Sequence, residues 1–316
     1  MKFFPGRTAV LVLTVLVPLA SCATLSPVNT APEGGIPKAP APESVRPRWQ
    51  PFADHLVRGL DYFAGKTARP RLEFRALRVD LHEPALRIVV YAASAPDNAG
   101  GTVPGIRVSS FVRRYGLLAG INAAPFDLVS GREGEPLTVA GLIIAEGMLR
   151  FPPNPRYGAL VFYAGGGAAI RGQGELGGME TIENAVGGFH LLLADGRLSE
   201  RALRLAAGSS NPRYPRSAAG LSADGRYLYL LAIDGRRPGS AGATEAETAI
   251  ILRQLGAAGG LNLDGGGSTA MALRFPDGKV RPVNIPIHGG IPGRERAVAS
   301  CLGIGLAPEA DGGAGK

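Results

Sequence analysis

Cysteine, histidine, tryptophan and charge are all scarce in this sequence, and each scarcity excludes something. There are two cysteines, Cys22 and Cys301, so a disulfide-stapled scaffold is ruled out. The four histidines, His55, His82, His190 and His288, are scattered without the spacing of a zinc site. His190 and His288 lie beside glycine turns from which they could enter a pocket, with a structural role as the favoured reading. Aromatic residues make up 6%, and no Lys/Arg block is interleaved with them, which argues against nucleic-acid binding. Charged residues reach only 19%, too few for a coiled coil or helical bundle. No Gly-x-Ser-x-Gly elbow is present, so a lipase-like triad lacks support. No repeat of fixed period occurs, and the apolar run at residues 8–18 is too short to span a bilayer.

What the sequence does hold is apolar bulk and many turn formers. Of 316 residues 45% are hydrophobic, with 46 Gly and 26 Pro, enough for a sizeable core cut by frequent turns. The net charge of +8 favours anionic partners such as phosphate esters, wall polymers or a membrane surface. An arginine-rich composition of genomic origin would give the same sign.

The N-terminus reads as a targeting segment. Lys2 and Arg7 precede the short apolar run, and Leu19-Ala20-Ser21-Cys22 resembles a bacterial lipobox. Residues 1–21 are therefore expected to be a lipoprotein signal peptide, with Cys22 lipidated. Ala23, in place of an aspartate, favours the outer membrane or cell surface by resemblance. Residues 22–50 carry Pro27, Pro32, Pro37, Pro40, Pro42 and Pro47 and read as an extended tether. A folded domain is expected over 51–307 and a disordered tail over 308–316. With Cys22 acylated, Cys301 is left alone in an apolar stretch and reads as a buried, inert thiol.

Periodicity places the elements. Residues 58–66 suggest a short amphipathic lead-in. Residues 72–81 alternate apolar and polar as a half-buried strand does, and 86–92 reads as its hairpin partner across His82-Glu83-Pro84. A short helix is expected over 108–115, capped by Ser109 or Ser110. Strands are expected at 117–122, 138–145, 159–163, 185–193, 217–222, 227–233, 260–263, 280–287 and 297–306. Thr244 and Glu247 form a capping-box pattern before an apolar stripe, and Gly256 supplies the stop. The fold class expected is α+β, a single domain of mixed β-sheets with a few packed helices.

The strongest chemical signal is Asn262-Leu263-Asp264-Gly265-Gly266-Gly267-Ser268. An acid stands where a buried strand ends, and three glycines free the backbone to turn and present N–H groups to an anion. Thr269 adds a further hydroxyl. A P-loop is excluded, because the lysine and its spacing are missing.

This pattern and its neighbours resemble the phosphodiester-glycosidase domain family, which includes the lysosomal "uncovering enzyme" and bacterial relatives. Residues 121–126 are similar to its Asn-Gly-Gly-Phe-Phe turn, and 184–189, ending at Asp195-Gly196, to its mid-domain glycine turn. Arg216-Ser217-Ala218-Ala219-Gly220, Asp234-Gly235-Arg236 and Arg294-Glu295-Arg296 are similar to further segments, in the family's order. The resemblance covers roughly residues 70–306. Ala123, Ala124 and Pro125 depart from the usual turn, and Thr269 replaces a common serine, changes that would reshape a sugar pocket.

The resemblance implies cleavage of the C1–O bond in a sugar 1-phosphodiester, without a cofactor. Such chemistry generally uses two carboxyl groups. The candidates are Asp264 and Glu295, with Asp234 in reserve. A phosphate leaving group needs charge neutralisation more than protonation, and Arg216, Arg236 and Arg296 are the candidate clamps. Gly265, Gly266, Gly267 and Ser268 would cradle the phosphate, and Asn122 and Asn262 would orient hydroxyls or fix loops. Plainer readings stand beside these. Asp264 and Asp234 are also turn formers, Glu295 has arginines on both sides to pair with, Arg216 is compatible with a solvated position, and Asn122 with a loop-stabilising amide. No metal ligands are assigned, since the acid-bearing loop lacks a full ligand set. A phosphosugar-binding module without catalysis, or a phosphodiesterase cutting the P–O bond, are the alternatives.

Overall fold

In a computed structural model, residues 46–51, 57–91, 101–127, 131–207 and 212–308 are described. All of them fall within one compact unit, Pro37–Lys316. The expected signal peptide, Cys22, most of the tether and nearly all of the tail lie outside the described residues.

The large sheet has eight strands in the order Gln50–Pro51, Leu60–Ala68, Arg71–Asp80, Tyr227–Ile233, Arg216–Leu221, Gly259–Asn262, Leu191–Ala194 and Arg197–Leu198. It is buried on both faces, and one strand explains how. Along Tyr227–Ile233, Leu228, Leu230 and Ala232 enter one apolar cluster while Tyr229, Leu231 and Ile233 enter another. Side chains alternate along a strand, so a sheet with two covered faces needs an unbroken apolar run.

The first cluster is closed by two five-stranded sheets. One holds Gly158–Tyr163 and Ile182–Gly187 at its centre, and the other holds Ala119–Asn122 between Met271–Arg274 and Cys301–Leu306. The second cluster is closed by helix α3, Glu245–Leu255, named third in chain order after α1, Val108–Arg114, and α2, Glu200–Ala207. Helix α3 carries the capping box expected of it: Glu247 N–H donates to Thr244 Oγ1 at 3.1 Å and Thr244 N–H to Glu247 Oε2 at 3.0 Å. It ends at Gly256 in the left-handed region, φ 118°. Among the described residues no helix is long and apolar enough to cross a membrane.

Several expectations are corrected. Strand pairing among the described elements is antiparallel throughout, rather than mixed; parallel neighbours need crossovers of a dozen or more residues, and few helices are present to make them. Residues 58–66 become a strand, Leu60–Ala68, not an amphipathic lead-in. Arg71–Asp80 and Leu86–Val90 do not form a hairpin: the first pairs with Leu60–Ala68 and Tyr227–Ile233, the second with Cys301–Leu306 in another sheet. The run at 185–193 divides into Ile182–Gly187 and Leu191–Ala194, in two different sheets, with Gly188 between them packed closely on Asn262 O. Cys301 is free and buried, and burial pushes its thiol well above the usual range.

Candidate active site

The acid-and-glycine segment is the crossover between two sheets. Gly259–Asn262 pairs with Arg216–Leu221 in the large sheet, whereas Met271–Arg274 pairs with Ala119–Asn122 in the second. Residues 263–270 must turn from one to the other, and hydrogen bonds hold the turn. Leu263 N–H donates to Ser217 O at 2.9 Å, Asp264 N–H to Ala123 O at 2.8 Å, and Gly266 N–H to Pro215 O at 2.8 Å. Asn122, fully buried, is the knot: its Nδ2 donates to Asp264 O at 2.6 Å, and its Oδ1 accepts from Ser217 Oγ at 2.6 Å and Ala270 N–H at 3.1 Å.

Asp264 stands half-buried at the head of this turn. Burial pushes its carboxyl up from 3.8 to about 6, against the hydrogen bond from Ser268, the Arg296 charge and the Gly265 N–H. Arg296 donates from Nη1 to Ser268 Oγ at 3.2 Å and from Nε to His288 Nδ1 at 3.0 Å. Burial lowers the pKa of Arg296, Asp264 raises it, and the neighbouring Arg236 lowers it further. Arg236 reaches the turn from a left-handed backbone, φ 57°, an uncommon conformation for a side chain of that size.

The glycines make room for these guanidiniums. A Cβ on Gly267 would lie 2.5 Å from Arg296 Nη2, and one on Gly266 3.3 Å from Arg236 Nη2. Gly267→Ala is therefore expected to displace Arg296 with little loss of fold. The expected result is a fall in kcat/KM of about 10²- to 10³-fold, the order of one lost transition-state donor, beside a nearly unchanged melting temperature. An unchanged kcat/KM would show that Arg296 has no role there.

Arg216 lies behind this pair. It is not solvated: its side chain is 11% exposed, Nε donates to Ala243 O at 3.0 Å, and Nη1 is 3.8 Å from Glu245. The site thus joins a partly accessible carboxyl, poised to exchange a proton near neutrality, to two guanidiniums that repel each other. That arrangement favours an anion between them.

The residues from this turn outward also match a known sequence pattern. The family model described as phosphodiester glycosidase matches residues 115–305, more than half of the chain. The chain belongs to the phosphodiester glycosidase family. In fold it is similar to the zebrafish N-acetylglucosamine-1-phosphodiester alpha-N-acetylglucosaminidase catalytic domain auto-inhibited by its pro-peptide, with TM-score 0.58 and 18% identity over 83% of this chain and 88% of that one. A hypothetical protein from Synechocystis gives TM-score 0.53 at 18% identity over 80% of this chain; the match spans 63% of that longer chain. A putative exported protein from Burkholderia pseudomallei gives 0.51 at 18% identity, covering 75% and 74%. No curated protein matches by sequence.

Not every candidate of this family member converges on the turn. Asp264, Gly265, Gly266, Gly267, Ser268, Arg236 and Arg296 meet there, with Arg216 and Asn122 behind them. Glu295 faces another way. Its carboxylate accepts from Ser109 N–H at 3.0 Å and from the Ser109 hydroxyl, so it caps α1, whose N-cap Arg107 offers no side-chain bond. Although adjacent in the chain, Glu295 is bound at α1 while Arg296 is bound to Ser268 and His288. Glu295→Gln is expected to weaken this cap by about 1 kcal/mol and leave turnover intact. Lost turnover in a folded Glu295→Gln protein would return the residue to catalysis.

Asp234 is wholly enclosed. Its Oδ1 accepts from Ile285 N–H at 2.8 Å and Asn284 Nδ2 at 3.3 Å, and its Oδ2 from Arg237 Nη2 at 2.7 Å. Arg237 also pairs with Glu73. Asn262 is buried, and its Oδ1 has no hydrogen-bond partner. His190 packs with Tyr157 and Phe189, and burial, then Arg201, pushes it down to about 4. His288, read from sequence as structural, proves to be the acceptor that holds Arg296. Tyr214 and Ser217, also at the site, carried no sequence signal beyond their nearness to Arg216. Among the described residues no three carboxylate, histidine or cysteine side chains gather as a metal site would require.

Proposed function

We propose that this chain is an exported, lipid-anchored hydrolase that cleaves the glycosidic C1–O bond of a sugar 1-phosphodiester. The observation that carries the reading is Asp264, its carboxyl raised to about 6, set in a glycine turn overlain by Arg236 and Arg296. At neutral pH that carboxyl is mostly ionised yet basic enough to take a proton. It acts as general base on a water molecule. The water oxygen bonds to C1, the C1–O bond breaks, and its electron pair leaves on the phosphate, which departs as a monoester. The two guanidiniums neutralise the charge that grows on the phosphate oxygens. Because phosphate leaves readily, this scheme needs only one carboxyl, consistent with the helix-capping position of Glu295. The acyl chain on Cys22 and the proline-rich segment after it would hold the domain clear of a cell-envelope surface.

The test uses the full-length chain in detergent micelles with methyl N-acetylglucosaminyl phosphate in ¹⁸O-water. Free N-acetylglucosamine carrying ¹⁸O, together with unlabelled methyl phosphate, is the expected result. Sugar 1-phosphate and methanol would move the cut to phosphorus. Binding of the diester without turnover would make the chain a phosphosugar-binding module. Metabolic labelling with palmitate, lost in Cys22→Ser, tests the anchor.

A further inference from the structure

An exposed tyrosine, Tyr214, lies beneath two of the site's arginines. Tyr214 is 40% exposed, and two guanidiniums lie over its ring: Arg216 and Arg236 each place Cζ 5.5 Å from the centroid. They are held in different ways. Arg216 is fixed by Ala243 O and faces Glu245. Arg236 is exposed, and among the described residues its guanidinium has neither a hydrogen-bond nor an ion-pair partner. A long, unpartnered side chain has many rotamers, and the like charge of Arg296 pushes it away from the turn. What opposes this is the negative face of the tyrosine ring.

Tyr214 can serve as such a platform because its backbone is locked. Its N–H donates to Ala243 O at 3.2 Å and its carbonyl accepts from Ala243 N–H at 2.9 Å. Gly242 and Gly235 pack so closely on residues 214–215 that a Cβ on either would approach to 2.6 Å or 2.7 Å. The ring therefore has a fixed origin, and Arg236 has a left-handed one, so the two meet beside Gly266 by construction of the backbone.

We propose that Tyr214 is a positioning residue that holds Arg236 over the glycine turn in readiness for the phosphate of the substrate. This rests on the phosphate-clamp reading above and adds to it that the clamp is set by an aromatic face rather than by a carboxylate. A carboxylate partner would compete with the phosphate, whereas a π face orients the cation and leaves its N–H donors free.

The experiment is a double-mutant cycle read by calorimetric titration of the full chain with inorganic phosphate and with N-acetylglucosamine 1-phosphate. The proteins are wild type, Tyr214→Phe, Tyr214→Trp, Tyr214→Leu, Arg236→Gln and the Leu/Gln double variant. Tyr214→Leu is expected to weaken binding about fivefold at most, while Tyr214→Phe and Tyr214→Trp stay within about twofold. The double variant is expected to bind no worse than Arg236→Gln alone, because Arg216, the other guanidinium over the ring, is already held by Ala243 O and does not depend on it. Independent, multiplying losses would overturn the proposal, as would a loss in Tyr214→Phe equal to that in Tyr214→Leu. Failure of wild type to bind either phosphate probe would overturn it as well. A positive cycle in a protein that turns over no diester would sink the hydrolase reading and leave this one standing.

Discussion

Asp264→Asn is expected to abolish turnover and to make the protein more stable. As general base Asp264 is worth on the order of 10²- to 10⁴-fold in rate, and the amide cannot take the proton. The stability gain follows from linkage. The folded carboxyl titrates at about 6, above its ordinary 3.8, so its favourable contribution is complete below 3.8 and is lost as the pH rises through about 6. At neutral pH the ionised group opposes folding by at most about 3 kcal/mol, and the neutral amide removes that term. Two measurements check this: kcat/KM against pH, and thermal melting of both proteins at pH 5 and pH 8. Wild-type kcat/KM is expected to fall below about pH 6, and the melting-temperature advantage of Asp264→Asn is expected to be about half as large at pH 5 as at pH 8. A variant that keeps its turnover, or one that melts lower than wild type at pH 8, would remove Asp264 from this role.

Asp234→Ala is expected to do the opposite. The carboxylate is wholly enclosed and binds Arg237, Asn284 Nδ2 and Ile285 N–H. Its removal takes one of two carboxylates from Arg237, which keeps Glu73, and leaves the buried Ile285 N–H without its acceptor, a loss of roughly 2–3 kcal/mol. In a domain of this size the melting temperature is expected to fall by roughly 10 °C. Turnover per folded molecule is expected to stay near wild type, since the link from Asp234 to the Asp264 turn is a shared donor, Asn284 Nδ2, which keeps its bond to Thr269 O at 3.2 Å. Circular dichroism melting beside active-fraction kinetics separates the two. A stable protein without turnover would place Asp234 in the chemistry and make the site a two-carboxylate one.

These contrasting expectations show where sequence reading succeeds. Helix α3 was legible in full, because its capping box, apolar stripe and terminal glycine are all local. The strands Arg216–Leu221 and Tyr227–Ile233 were legible for the same reason, as each is a short apolar run bounded by the local turn signals Asp224-Gly225 and Asp234-Gly235. Pairing was not. The turn at His82–Pro84 sits where a hairpin would want it, yet Leu86–Val90 leaves for another sheet, since period two marks a strand without naming its partner. Glu295, expected beside Asp264 as a second catalytic carboxyl, is instead bound to Ser109 at the start of α1, a partner 186 positions away that no local pattern could name.

The sequence by itself determined the apolar bulk for a core, the strand-rich architecture, the capped helix, and an acid followed by three glycines at a strand end. It also determined the ordered segments by which family membership was legible. Those are matters of composition and of residues a few positions apart, where local geometry is fixed by chain chemistry. Only the tertiary structure decided which charges face one another. Asp264, Arg236 and Arg296 are brought together by a crossover between two sheets, and the same packing removes water from Asp264 and raises its pKa. Asp234 and Glu295 carry the same carboxylate, but one is enclosed by Arg237, the Asn284 side chain and the Ile285 N–H, and the other is bound to a helix end. The chemistry of a carboxyl group depends on its solvation and its neighbours, and both come from residues distant in the chain.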